Sequence, residues 1–389
     1  MIGVSAKPVN PVWISGVGAV SCLGGSMRDL WSAVEDSRSG IEDGLGVVAD
    51  SSLVAPIDEV RRNRALAFCK QAVAEAMAQA GWTSIHPDDG LIFATTTGQL
   101  QLWDSVFMGL SRGEKTASEL RQAFVHQPLG TLMSALAQEI GHSGPSTLLT
   151  SACSASTQAL GVAAMWIKQG RVKRCLVVGA EVLCDLTTEG FRSLKLLAPD
   201  RAKPFDRERS GINLSEGAAA LCLEAKCARP LARLSGFGFT TDGYHMTGPH
   251  PEGDGCYRAM RMALQSAGVS AYAVTWVHAH GTGSQLNDMA EGLAVRRLFG
   301  ESTPFVSSTK WLHGHALAAS GALETALVVE CIRHAMVLST RGLQNADEKI
   351  PVRHPMADLN IKLRHVLKST LGFGGTNAAI LISHPEERT

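Results

Sequence analysis

Apolar and polar positions along the chain fall into two spacings. Short, almost wholly apolar runs are separated by longer stretches in which small and apolar residues return every three or four positions. The runs Val12–Val20, Leu91–Thr95, Thr147–Thr150, Arg174–Val178, Val274–His278 and Ala378–Ser383 read as strands, several of them buried on both faces. Helical spacing covers Met27–Glu35, Arg64–Ala80, Thr131–Ile140, Ser154–Lys168, Arg258–Ala267 and Ser320–Met336. Gly81, Gly170 and Gly268 stop three of these helices, as glycine commonly does just past a helix end. Helices alternating with short apolar strands predict an α/β fold with substantial parallel pairing.

The pattern also repeats. AMAQAGW leads into a strand and a glycine turn at Ala94–Gly98, and ALQSAGV leads into another at His278–Gly281. GAAALCLE, from Gly217, has a counterpart in GTNAAILIS, from Gly375. Matched landmarks in the same order predict a duplicated βα architecture. No Pro/Ser-rich linker separates the copies, so they are expected to pack as one body, with a site where their strand ends meet.

Composition narrows the class. With 36 Lys+Arg against 36 Asp+Glu among 389 residues, the net charge is zero, which argues against nucleic-acid binding through bulk charge. Charged residues make up only 19%, so a large core or subunit interface is expected rather than disorder. Val12–Gly24 could pass for a short secretory leader, but its Gly and Ser spacing fits a strand and turn better. The nine Cys are an odd number with no C-x-x-C pair, a pattern of reduced thiols in a cytoplasm.

One cysteine stands apart. In TLLTSACSASTQALG, Cys153 sits at a strand-to-helix junction, with Ser151 and Ser154 as possible N-caps. Helix-end N–H groups and the helix dipole favour thiolate there, and the same donors can hold an oxyanion. Two His turns offer partners. In TWVHAHGTGSQLND, strand alternation sends His278 and His280 to opposite faces, and His280, nearer the turn, is the better candidate. In STKWLHGHALAASGALE, one of His313 and His315 is expected to be structural. Asp288, Glu291, Lys310 and Glu324 are either solvated helix ends or a buried network holding the two rings. SGVGAVS is a near miss for a dinucleotide site, with Ser21 in place of the third glycine. LGFGGTN offers the Phe373 N–H as a donor. A rival reading, a metal-dependent hydrolase, would use both H-x-H pairs with Asp288, but strand alternation and the HGTG turn disfavour it.

TSACSAS, AHGTGSQLND, STKWLHGHALAASGALE and LGFGGTN stand in the order and spacing of the β-ketoacyl-acyl-carrier-protein synthases, and the chain resembles that family over nearly its whole length. The likeness is to the elongating, Cys-His-His type; TDGYHMTGPHPEG and SQLND further suggest a specialised member, such as the ketosynthases of aryl polyene clusters. The resemblance implies a thiolase-like duplicated fold, layered α-β-α-β-α with two mixed sheets, with residues 1–228 carrying the nucleophile and 229–389 the two His. It implies a decarboxylative Claisen condensation: Cys153 accepts the acyl group, while His280 and His315 hold the malonyl thioester carbonyl. Lys310 with Glu324 would order His315, and Asp288 and Glu291 would lie in the network beneath. The N–H groups of Cys153 and Phe373 would form the oxyanion hole, with the Phe373 ring as gate. Thr282, Ser284 and Thr247 would contact phosphopantetheine.

No metal or bound cofactor is implied. Substrates would arrive on the phosphopantetheine of an acyl-carrier protein, in a cytoplasmic homodimer or a heterodimer with a related subunit. The alternative function is a non-catalytic partner that shapes the pocket of an active ketosynthase. Arg61, Arg62 and Arg64, or Lys203, Arg207 and Arg209, are the clusters that could dock an acidic carrier. Trp311 and Ser284 depart from the residues more usual at the entrance.

Overall fold

The computed structural model describes residues 10–49, 57–124 and 128–387. Ten strands form the main sheet. The first five are β1 (Trp13–Ser21), β2 (Gly90–Ala94), β3 (Ser146–Leu149), β4 (Arg174–Glu181) and β5 (Gly217–Glu224). The second five are β6 (Ala232–Thr241), β7 (Trp276–His278), β8 (Phe305–Ser307), β9 (His365–Gly372) and β10 (Thr376–Ser383). Five helices matter most to the site: α1 (Ile57–Ala80), α2 (Ala155–Lys168), α3 (Asp254–Ala267), α4 (Gln285–Phe299) and α5 (Ser320–Arg333).

Strand order runs β8-β7-β9-β10-β6-β1-β5-β4-β2-β3. Read inward from each edge, the halves match: two parallel pairings, β3-β2-β4 and β8-β7-β9, then two antiparallel ones that end at β1 and β6. The two mixed sheets expected from the sequence are therefore present as halves. A short antiparallel contact, Trp13 with Arg233 and Ile14 with Ala232, joins them edge to edge. Helices α2 and α5 pack between the halves in one apolar core, while α1 and α3 cover the outer faces in two others.

The glycines of SGVGAVS have a packing role. A Cβ on Gly16 or Gly18 would lie 2.0 or 2.1 Å from the Ala76 or Ala72 carbonyl oxygen of α1. Gly236 and Gly238 of β6 stand in the same relation to Ala263 and Ala259 of α3, at 2.1 and 2.2 Å. Backbone contact of this kind excludes any side chain, so the near-nucleotide motif is a strand-to-helix packing device. Among the described residues, no helix is long and apolar enough to cross a membrane.

Candidate active site

The nucleophile turn is built by strain and by hydrogen bonds from the other half. Ala152 takes a left-handed φ of 48°, unusual for a residue with a Cβ, and this turns Cys153 to the head of α2. Ser154 occupies the N-cap position without capping. Its hydroxyl instead lies 2.8 Å from the Ser151 carbonyl and 3.0 Å from Thr376 Oγ1, with one proton to donate to either, which corrects the expected capping role. Thr376 Oγ1 donates in turn to the Ser151 carbonyl, tying β10 to the nucleophile turn. Gly372 lets the following loop approach: a Cβ there would come within 2.6 Å of Thr376 Oγ1 and 3.3 Å of the Ser154 nitrogen.

His315 and His280 converge on this sulfur. His315 Nε2 lies 3.0 Å from Cys153 Sγ, and its Nδ1 lies 2.9 Å from Ser320 Oγ. The two imidazoles meet edge to face, with centroids 5.1 Å apart. Their partners in the H-x-H pairs turn away: His278 and His313 both contact the buried Thr309 hydroxyl, at 3.0 and 2.8 Å. Lys310 pairs with Glu324, and its Nζ lies 3.4 Å from Nδ1 of His280. It thus orders His280, whereas Ser320 orders His315, reversing the expected assignment of Lys310. An ammonium donating to Nδ1 puts the imidazole proton on Nε2.

The acidic pair holds backbone rather than rings. Glu291 accepts from the N–H groups of His280 (2.7 Å) and Gly281 (2.8 Å) and from Ser369 Oγ. Asp288 accepts from the N–H groups of Thr282 and Phe205, at 3.0 and 2.8 Å. Burial raises both carboxyls above their ordinary range, against those hydrogen bonds. Both therefore fix the HGTG turn that presents His280.

Electrostatics set the protonation states. Burial first, and Lys310 second, hold His280 and His315 well below the usual imidazole value, so both are neutral near pH 7. Burial raises Glu324, but the two ammoniums of Lys310 and Lys368 outweigh it and keep the carboxylate ionised. Burial pushes the Cys153 thiol up to about 11, although Lys310 and the Phe373 N–H act to lower it. The sulfur therefore rests as a thiol, contrary to the thiolate expected at a helix head. Desolvation of a buried anion outweighs the helix end here.

Cys153, His280 and His315 all line a cavity of about 170 Å³. Thr247, Thr282 and Ser284 line it as well, and Thr282 and Ser284 share a hydrogen bond of 3.0 Å. The Phe373 ring stacks on Phe191, 5.3 Å between centroids, at the same cavity. Cys153, His280 and His315 have potential ligand atoms within 4.8 Å of one another, a set that fits a soft cation by distance alone. Lys310 opposes it, since it directs a proton onto His280 Nε2 and adds positive charge.

The proposed docking clusters fare unevenly. Arg64 is tied to Glu216 and to the Val48 carbonyl, while the side chains of Arg61 and Arg62 lie outside the described residues. Arg209 is buried against Asp347 at 2.7 Å, leaving Lys203 half-buried and Arg207 exposed. Both clusters are thereby broken up as drawn, because an arginine in each serves the fold. Trp311 faces a separate groove, under the Arg201 guanidinium. Sequence reasoning missed Ser320, Thr309 and Lys368; a lysine inside the apolar run of β9 was the available signal for the last.

The chain resembles known proteins over most of its length. Residues 53–228 match the family described as "Beta-ketoacyl synthase, N-terminal domain", and residues 231–344 match "Beta-ketoacyl synthase, C-terminal domain". The chain is 30% identical to a 3-oxoacyl-[acyl-carrier-protein] synthase 2 of Rhizobium meliloti, over 95% of this chain and 98% of that one. Among solved structures, the ishigamide ketosynthase/chain length factor superposes with a TM-score of 0.88 at 26% identity, covering 96% of this chain and 99% of the other. The ketosynthase ApeO in complex with its chain length factor ApeC, from Xenorhabdus doucetiae, gives 0.83 at 28% identity, covering 96% and 98%.

Proposed function

Since the chain belongs to the β-ketoacyl synthase family, we propose that it joins an acyl group held on Cys153 to a malonyl unit carried by an acyl-carrier protein, giving a 3-oxoacyl product two carbons longer. The observation that carries this reading is the convergence of Cys153, His280 and His315 on one cavity.

The chemistry follows from the contacts. As the Cys153 sulfur attacks the carrier-bound acyl thioester, its proton passes to His315 Nε2, 3.0 Å away. The carbonyl oxygen gains charge beside the N–H groups of Cys153 and Phe373, and the carrier sulfur leaves as a thiol, taking the proton held by His315. A malonyl thioester then places its carbonyl oxygen between His280 and His315. Its C–C bond breaks, CO₂ departs, and the electron pair forms an enolate. His280 offers its Nε2–H to that developing anion. His315 does the same once the Cys153 proton has been passed on and its ring holds the remaining proton on Nε2 rather than on Nδ1 beside Ser320. An anionic base in either place would repel it. The enolate carbon attacks the acyl carbonyl, the Cys153 sulfur leaves as a thiolate, and one proton from solvent restores the thiol. No step calls for a metal or redox cofactor.

Thr282, Ser284 and Thr247 would guide the phosphopantetheine arm along the cavity. Lys203 and Arg207 are the members of one basic cluster still available to an acidic carrier. Residues 1–228 and 229–389 would act as two halves of one catalytic body, in a reducing cytoplasm. The likeness to ketosynthases solved with a chain length factor supports a related partner subunit and a specialised pathway. The same likeness relates to a second reading, a partner that only shapes a pocket; the assembled Cys-His-His set counts against it.

Product analysis tests the proposal. Acyl- and malonyl-carrier protein together should release one CO₂ for each 3-oxoacyl-carrier formed. Hydrolysis of the acyl group, with no carbon–carbon bond made, would refute it.

A further inference from the structure

Lys368 lies on β9, fully buried, and nothing in the condensation just described uses it. Its Nζ sits 2.8 Å from Glu324 Oε2, a buried ion pair. The other carboxylate oxygen of Glu324 pairs with Lys310. Lys368 also donates to the Ser369 carbonyl at 3.1 Å and to Thr370 Oγ1, and Thr370 Oγ1 meets Thr157 Oγ1 of α2 at 2.8 Å. It therefore contacts directly the carboxylate that balances Lys310, and is linked through Thr370 to the helix that follows Cys153.

We propose that Lys368 is a positioning residue for the condensation: by engaging Glu324 from the far side, it leaves the Lys310 charge in excess beside His280 and so keeps both imidazoles as neutral N–H donors. The inference rests on the reading of the site given above. Its core is a charge count. Two ammoniums face one carboxylate, with each side chain at most 1% exposed. Without Lys368, Glu324 would balance Lys310 outright.

The surrounding groups do not cancel the excess. From the turn before α5 come Lys310, His313 and His315; from the end of β7 and its turn, His278 and His280; from α4, Glu291; from α5, Glu324. Glu291 is already engaged by two backbone N–H groups and Ser369 Oγ. Burial acts to discharge Lys368, and Glu324 acts to keep it charged. Such a cluster raises the cost of protonating either imidazole, and it favours the anions that form on the enolate and the sulfur.

The test uses the full chain with ring-¹⁵N-labelled histidine, and compares wild type, Lys368→Met, Lys368→Arg and the double variant Lys368→Met/Glu324→Gln. Two quantities are followed against pH: the His280 titration by NMR, and the rate of malonyl-carrier decarboxylation. Lys368→Met should raise the His280 titration midpoint and the acid limb of decarboxylation together, by about one pH unit, with little change in KM. Lys368→Arg should keep the wild-type limb. The double variant restores one uncompensated ammonium and should move both readouts back toward wild type. Unshifted His280 titration in folded Lys368→Met contradicts the proposal, as does a double variant displaced further than the single one. Should Lys368→Met not fold, the double variant decides by itself, because a purely structural lysine predicts a shifted titration there too. Wild type whose decarboxylation ignores His280→Ala would overturn the condensation reading instead, and the NMR titration would still judge Lys368.

Discussion

The two halves of the molecule share one strand order and, on the proposed mechanism, divide the chemistry. In each, the chain leaves a parallel edge strand and enters a helix packed between the sheets: β3 into α2 at Cys153, and β8 through Lys310 and His315 into α5. In each, the next strand inward also ends in a glycine turn. After β2 that turn is Thr95–Gly98, whose N–H groups at Thr96 and Thr97 are held by Glu181 at 2.9 Å. After β7 it is the His280–Gly283 turn, held by Glu291 and Asp288. Equivalent places thus carry unlike side chains. The first half offers one thiol among hydroxyls, and the second offers both imidazoles and the cations that govern them. On the proposed mechanism, acyl storage falls to a strand end of one half and carbanion formation to the facing strand ends of the other.

That division can be broken by substitution. Cys153→Ala should lower condensation by about a thousandfold or more, leaving no acyl-enzyme yet retaining decarboxylation of malonyl-carrier. His280→Ala should do the reverse, keeping acylation of Cys153 while CO₂ release falls by about a hundredfold to a thousandfold. Burst acylation and CO₂ release, measured on each variant, separate the two; loss of both activities in both variants would erase the distinction.

Protonation sharpens the same contrast. Because burial pushes the Cys153 thiol up to about 11, iodoacetamide labelling of this residue should climb about tenfold per pH unit from pH 8 to pH 10. A plateau already reached below pH 8 would mean a standing thiolate. The architecture should respond symmetrically where the chemistry does not. Gly18→Ala and Gly238→Ala each force a Cβ into a helix carbonyl, and each should cost about 1–3 kcal/mol in denaturant unfolding. A large loss at one site only would show that the halves are packed differently. Ser320→Ala has the smallest effect: losing the Nδ1 contact of His315 should slow turnover about threefold to tenfold, with acylation and fold retained.

Most of the fold could be read from the chain because long periodic segments dominate it. Met27–Glu35 forms its helix as drawn, and the helices ending at Ala80, Lys168 and Ala267 stop at their glycines. The helix drawn to Met336 ends at Arg333, since Ala335 takes a left-handed φ of 51° and begins a turn. Ala232–Thr241 escaped notice because its pairing rests on Gly236 and Gly238, which suit backbone contact with α3 and carry no strand signal of their own.

At the site, residue types and spacing sufficed to bring out Cys153 and His280, while the choice of His315 over His313 came from the family resemblance. Types and spacing could not say which histidine Lys310 reaches, because that depends on how two turns from distant sequence face each other. Nor could they give the thiol its protonation state. Helix position favours the anion, and burial, a property of the whole packed body, overrides it.

The central claim is that one sulfur stores the acyl group. Incubation of the full chain with acyl-carrier thioesters, followed by intact-mass and peptide-level mass spectrometry, addresses it directly. One acyl group per chain, mapped to Cys153 and discharged on adding malonyl-carrier, is the predicted result. An acyl group on any of the other eight cysteines, or product formed with no acyl-enzyme at all, would contradict it.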